Sequence, residues 1–131
     1  MKKQLDGFTV IEILFVTVLL ATASIIFFVQ KNNLEVISRD DARKTSINAI
    51  YYSLEEVFYP ANKFYPQTVS SDNLKSLDPA LFSDTDDIKI GEAGSTFTYE
   101  PTDCTDQKCK GYTLKTTLEK EADFVKTNRN N

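Results

Sequence analysis

The chain has 131 residues, room for one domain of modest size, and its 41% hydrophobic and 26% charged residues are ordinary for a folded protein. A net charge of −4 argues against a dedicated nucleic-acid binder, and the absence of histidine removes every hydrolase mechanism that uses that base. With four glycines, none in a glycine-rich phosphate loop, no catalytic constellation is apparent, and the expectation is a non-enzyme without a cofactor.

From Phe8 to Val29 the only ionisable side chain is Glu12, and the other polar residues are Thr9, Thr17, Thr22 and Ser24. At about 1.5 Å per residue a helix of this length spans roughly 33 Å, enough to cross a hydrocarbon core of about 30 Å. Lys2 and Lys3 precede the run, as in a secretory signal, but the run is long for one, and Gln30-Lys31-Asn32-Asn33 offers no small-residue cleavage site. The segment 8–30 therefore reads as a retained membrane helix. Lys2 and Lys3 bias its start to the cytoplasm and the remaining hundred or so residues to the other side.

Glu12 is the anomaly. A carboxylate at the centre of a membrane helix costs about 2.5–3.5 kcal/mol on insertion scales, and such residues usually mark function. Glu12 lies one turn from Gly7, so its side chain can reach the headgroup region. Snorkelling explains why the charge is tolerated, but not why it is present.

Between Gly7 and Pro60 there is neither glycine nor proline, which predicts one long helix. Its second half, 31–59, is amphipathic, with Leu34, Ile37, Ile47, Ile50, Leu54 and Phe58 recurring at helical spacing. The polar stretch Ser38 to Ser46 reads as a solvated neck or a surface meeting neighbouring molecules. Glu35 with Arg39 and Asp40 with Lys44 are placed as i,i+4 pairs worth about 0.2–0.5 kcal/mol each. Pro60 is expected to end the helix.

The head, 60–131, opens with the crossing loop Asn62-Lys63-Phe64-Tyr65-Pro66. Ser71 to Leu77 reads as a short helix stopped by Asp78-Pro79, with Leu74, Leu77, Leu81 and Phe82 as apolar anchors. The turn Asp84-Thr85-Asp86-Asp87, with Glu92 nearby, supplies hard oxygen ligands suited to calcium, but it lacks the spacing and glycine of a calcium loop, so an exposed turn is favoured. Phe97 and Tyr99, then Tyr112, Leu114, Thr116 and Leu118, alternate with polar residues as half-buried strands do, and Phe124-Val125 suggests another. The expected fold is α+β: one long N-terminal helix packed on an antiparallel sheet of three or four strands. In a head of about 75–85 residues a single core supplies about 3–5 kcal/mol, so staples matter. Cys104 and Cys109, in the expected loop Pro101 to Gly111, read as a disulfide worth about 2 kcal/mol by loop entropy, not as a metal site.

The leader with Lys2 and Lys3, ending at Gly7, then Phe8-Thr9-Val10-Ile11-Glu12 and an apolar helix, closely resembles the class III signal of type IV pilins and type II secretion pseudopilins. The long helix, the "NKFYP" loop and the C-terminal "YTLKTTLE" resemble the same family, whose fold is pilin-like. The resemblance implies that residues 1–7 are a leader, that a prepilin peptidase cuts between Gly7 and Phe8, and that Phe8 becomes an N-methylated first residue. It implies that Glu12 pairs with the Phe8 ammonium of a neighbouring copy in a helical filament. The partners so implied are further copies and other pilin-like subunits, the inner-membrane pilus assembly machinery, and membrane lipid before assembly. No nucleic-acid partner is expected. The precursor would be a single-pass membrane protein with its head outside the cytoplasm, and the mature form part of a pilus or cell-envelope filament. A secretion pseudopilin and a plain membrane-anchored binding domain are the alternatives. Where the family often has glycine and proline in the apolar helix, this chain has Ala21 and Val29, which predicts a more continuous helix.

Overall fold

The computed structural model describes residues 7–130 and divides the chain into two compact units, with the boundary between Glu35 and Val36. Helix α1 (Val10–Tyr52) contributes to both, and it runs through Ala21 and Val29 without a break. In the first unit the helix surface is apolar and open, with Phe15, Leu20 and Phe27 each more than half exposed.

The second unit is built on the end of that helix. Ile47, Ile50 and Leu54 are completely buried, as their spacing demands, but Leu34 and Ile37 are exposed and lie outside the core. The polar neck is not solvated on every side. Asp40, Arg43 and Ser46 face inward, and the carboxylate of Asp40 accepts the backbone N–H groups of Glu119 (2.9 Å) and Lys120 (3.1 Å). Longer-range pairs tie this stretch to the segment after the third strand of the sheet: Arg39 with Glu119 and Lys44 with Glu121, both at 2.7 Å. A loop that must cross the helix offers fixed partners, and a fixed partner costs less side-chain entropy than a mobile neighbour on the same turn.

Pro60 does not end the helix. After α1 the chain widens into a π turn (Ser53–Phe58) and continues as α2 (Tyr59–Asn62), with Pro60 in its first turn, where a missing N–H is tolerated. The wider turn relieves the crowding that a proline ring imposes on the carbonyl four residues back. It also brings the consecutive residues Ser53, Leu54 and Glu55 to one buried face, because a π turn rotates less per residue than an α turn. The chain leaves the helix at Lys63, in the left-handed region (φ 64°), whose N–H closes onto the Tyr59 carbonyl at 2.7 Å.

Residues 71–77 form turns rather than the expected short helix, because Asn73 draws the backbone elsewhere: its Oδ1 accepts from Ser70 N. Asp78 and Pro79 instead start a 3₁₀ turn (Pro79–Phe82), with Asp78 Oδ1 accepting from Ala80 N at 2.9 Å. Leu74 and Phe82 reach the core as anchors.

The sheet has four antiparallel strands: β1 (Tyr65–Pro66), β2 (Phe97–Thr105), β3 (Lys108–Thr116) and β4 (Phe124–Thr127). β3 is central, with β2 along one edge, β1 beside Lys108–Cys109 and β4 beside Thr113–Thr116 on the other. Tyr112, Leu114 and Thr116 face the helix, and Leu118 is buried beyond the strand end. Pro101 sits in β2, whose outer edge pairs with no strand among the described residues and needs no N–H from it. The stretch Pro101 to Gly111 is a continuation of both strands, not a loop; its turn is Asp106-Gln107, both at positive φ (50° and 65°), the geometry of a tight hairpin with the twist of its strands. The α+β layout, one long N-terminal helix with a small antiparallel sheet, is therefore the fold of the chain.

Candidate functional site

The residues singled out by sequence gather at the start of α1. Thr9 is its cap: the Thr9 carbonyl accepts from the N–H groups of Glu12 and Ile13, both at 3.1 Å. In return the Thr9 N–H donates to Glu12 Oε2 at 3.4 Å. This is one arm of a capping box, T-x-x-E, which uses the carboxylate to cover a donor the helix leaves unpaired. The signal was present in Thr9-Val10-Ile11-Glu12 and gives Glu12 a partner within its own chain. Phe8 is three-quarters exposed. At Gly7 an added side chain would meet no atom within 4 Å among the described residues, and the backbone is not in the left-handed region. Among those residues, neither packing nor conformation requires glycine there. Lys2 and Lys3, with the other residues before Gly7 that were expected to form a leader, lie outside the described residues.

Beyond the cap, α1 is long and apolar enough to cross a membrane, with a mean hydropathy of 2.5 in its most apolar stretch and none of that stretch buried. Its hydroxyls bond back to the helix: Thr17 to the Leu14 carbonyl (2.8 Å), Thr22 to Leu19 (2.9 Å) and Ser24 to Leu20 (2.8 Å). A hydroxyl satisfied in this way can sit in hydrocarbon at little cost.

No protein-family model matches the chain, and no curated protein or solved structure matches it.

Cys104 and Cys109 form a disulfide across β2 and β3, at directly opposed positions with Cα atoms 3.9 Å apart. The acidic turn is organised around one member. Asp84 is buried, and its two oxygens accept from the N–H groups of Asp86, Ile88 and Thr96 and from the Thr96 hydroxyl. Burial pushes its carboxyl upward, but those donors outweigh it and hold it below the usual range. Asp86, Asp87 and Glu92 are exposed, and no group of three or more metal-ligating side chains is gathered among the described residues.

Two buried carboxylates were missed by sequence reasoning. Asp40 ties α1 to the segment after β3; burial raises its carboxyl, and the Glu119 and Lys120 N–H groups and the Arg43 guanidinium (3.3 Å) together bring it below the ordinary value. Glu55, on the π turn, is 5% exposed and accepts from the hydroxyls of Tyr112 (2.9 Å) and Tyr65 (3.1 Å), from Arg129 N and from Asn130 Nδ2. Burial and the neighbouring carboxylate push both hydroxyl pKa values upward. One carboxylate thus joins helix, β1, β3 and the C-terminal residues. The available signal was spacing: Glu55 stands four after Tyr51, on the margin of the Ile47–Ile50–Leu54 stripe, so it faces the core edge.

Proposed function

We propose that this chain is a structural subunit of a type IV pilus or related filament, cut between Gly7 and Phe8 and assembled through its apolar helix. The observation that carries the reading is the pairing of a conformationally unneeded Gly7 with Glu12 one turn into an exposed, membrane-length apolar helix. Cleavage would place a new ammonium on Phe8, in a bundle where water is scarce and an isolated charge of either sign is costly. Glu12 of one copy then meets Phe8 of its neighbour, and the contact sets register while apolar helices supply adhesion. A heterologous contact of this kind, repeated without closing, gives a helical filament. Further copies, other pilin-like subunits, a prepilin peptidase, the assembly machinery and membrane lipid are the partners in this reading. The head then lies outside the cytoplasm, where a disulfide persists.

One observation favours a second reading, a single-pass anchored domain. Glu12 has an intrachain donor in Thr9, so the carboxylate has a use even in an isolated helix. Mass spectrometry of the chain recovered from membranes separates the two. A mature N-terminus at methylated Phe8 is expected for the filament subunit; an intact Met1, or a cut beyond Val29, overturns it. A secretion pseudopilin would share the processed terminus and differ in yielding no filament that can be sheared from the cell surface.

A further inference from the structure

Two adjoining cavities lie at the end of the head where α2 stops and β3 begins. One, about 430 Å³, sits between Lys63 and the β2–β3 turn; the other, about 570 Å³, continues past Phe64 and Lys108, which line both. Both volumes are in the range of small-ligand sites. The two rings in the walls are held from behind: Tyr59 stacks on the fully buried Tyr65 with centroids 4.8 Å apart, and Phe64 meets Phe58 edge-on at 5.7 Å. Lys63, Lys108 and Lys110 bring three ammonium groups to the smaller cavity, and none of them is in an ion pair among the described residues. Two rest over the rings instead, Lys63 Nζ 6.0 Å from the centroid of Tyr59 and Lys108 Nζ 5.3 Å from that of Phe64. A cation over an exposed ring is weakly held, so an anion can draw it off. Of the five described non-glycine residues at positive φ, four line these cavities: Lys63, Asp103, Asp106 and Gln107. Backbone costs of this kind cluster at ligand sites.

The ammonium groups suit an anion, and the half-buried rings suit a flat apolar face. Asp103 and Asp106 narrow the choice. Their carboxylates repel a polymer charged at every backbone unit, as nucleic acid is, but they accept hydrogen bonds from hydroxyls. The exposed amides of Gln67 and Gln107 add groups that both donate and accept. A pyranose bearing a carboxylate complements each of these: it has one charge per ring, several hydroxyls and a face of C–H groups. We propose that the paired cavities bind an acidic saccharide of the uronic acid type, with its carboxylate on Lys108 and Lys110, its ring face against Phe64, and its hydroxyls on the carboxylates and amides of the rim. The site lies wholly within the second unit, so it stands whether the chain is a filament subunit or a single anchored domain.

Trigalacturonate, titrated calorimetrically into the full-length chain in nonionic micelles, should bind at one site per chain. Its methyl ester keeps the rings and loses the charge, and should bind about tenfold more weakly or worse, the scale of a lost hydrogen bond between charged groups. Lys108→Gln should weaken trigalacturonate by a similar factor and flatten the dependence of its affinity on salt. Phe64→Leu keeps an apolar side chain and loses the flat ring, so it should weaken binding while leaving the salt dependence as in the wild type. Lys75→Gln, outside both cavities, should bind as the wild type does. Urea midpoints near that of the wild type show that each variant is folded. The proposal is overturned if trigalacturonate fails to bind at millimolar concentration, if it binds no better than its ester, or if folded Lys108→Gln or Phe64→Leu binds it as the wild type does. Tighter binding of a trinucleotide than of trigalacturonate would make the cavities a site for plain polyanions, and overturns it as well.

Discussion

Glu55 receives two tyrosine hydroxyls, a backbone N–H and a side-chain amide in a site closed to water. Replacing it with leucine removes the acceptor and strands those donors, each at a desolvation cost, so Glu55→Leu should destabilise the head by roughly 2–4 kcal/mol. With no tryptophan in the chain, tyrosine fluorescence during urea unfolding in micelles is a direct readout, since Tyr65 and Tyr112 are the reporters at the site. Two buried carboxylates and an exposed one that is ion-paired set the acid limit. Asp40, Asp84 and Glu119 all have folded pKa values below their ordinary ones; for Glu119 the first cause is the Arg39 guanidinium. A depressed carboxyl stabilises above its unfolded pKa, about 4, and loses that contribution as pH falls through the lower folded value. Tyr65 and Tyr112 shift the other way, so their contribution is complete below pH about 10 and is lost above it. Urea midpoints measured against pH should therefore be flat near neutrality, fall below pH about 4 and fall again above about 10. A midpoint that holds steady between pH 4 and 2 would contradict the carboxylate assignment.

The β2–β3 hairpin shows how an element can be legible in type and obscure in detail. Alternation at Tyr112, Leu114 and Thr116 predicted the buried face correctly, and the cysteine spacing matched the cross-strand disulfide. The turn was hidden because Asp106-Gln107 lacks the glycine that normally announces two positive φ angles. Gln107→Gly, which removes the side-chain penalty of that conformation, should stabilise the head by about 0.5–1 kcal/mol in thermal unfolding. Gly111 is constrained for a different reason. A Cβ there would lie 2.7 Å from Asn128 Oδ1 and 2.8 Å from Thr102 Oγ1. Asn128 cannot easily retreat, since its Oδ1 accepts the Tyr112 N–H and its Nδ2 donates to the Asn130 carbonyl. Gly111→Ala should therefore cost about 1–3 kcal/mol in the same assay, as overpacking does, with the C-terminal residues loosened first in hydrogen exchange. The helix was misread on the same principle: periodicity reports which residues are apolar, not which polar residues find partners across eighty positions, so Asp40 and Arg43 read as solvent-facing. Pro60 misled because a single proline is a stop signal only if the turn before it is α-helical, and the sequence SLEEVF carries no mark of a π turn.

At the scale of the whole molecule, the two units hold different parts of the proposed function, and among the described residues their key carboxylates share no partner. Glu12 contacts Thr9, and Glu55 contacts the sheet and the C-terminal residues. Substitutions without shared partners add independently to within about 0.5 kcal/mol. Glu12→Ala should then leave the urea midpoint of the head unchanged while abolishing sheared filaments, with the processed chain retained in the membrane. Glu55→Leu should do the reverse at low temperature, losing head stability while still being cut at Gly7 if the filament reading holds, because the partners of Glu55 all lie in the second unit. In the double variant the stability loss should equal that of Glu55→Leu alone, and the processing state should equal that of Glu12→Ala alone. If Glu12→Ala lowered the head's midpoint by more than about 1 kcal/mol, Glu12 would be acting on folding, and the division between an assembling helix and an independently stabilised head would not hold.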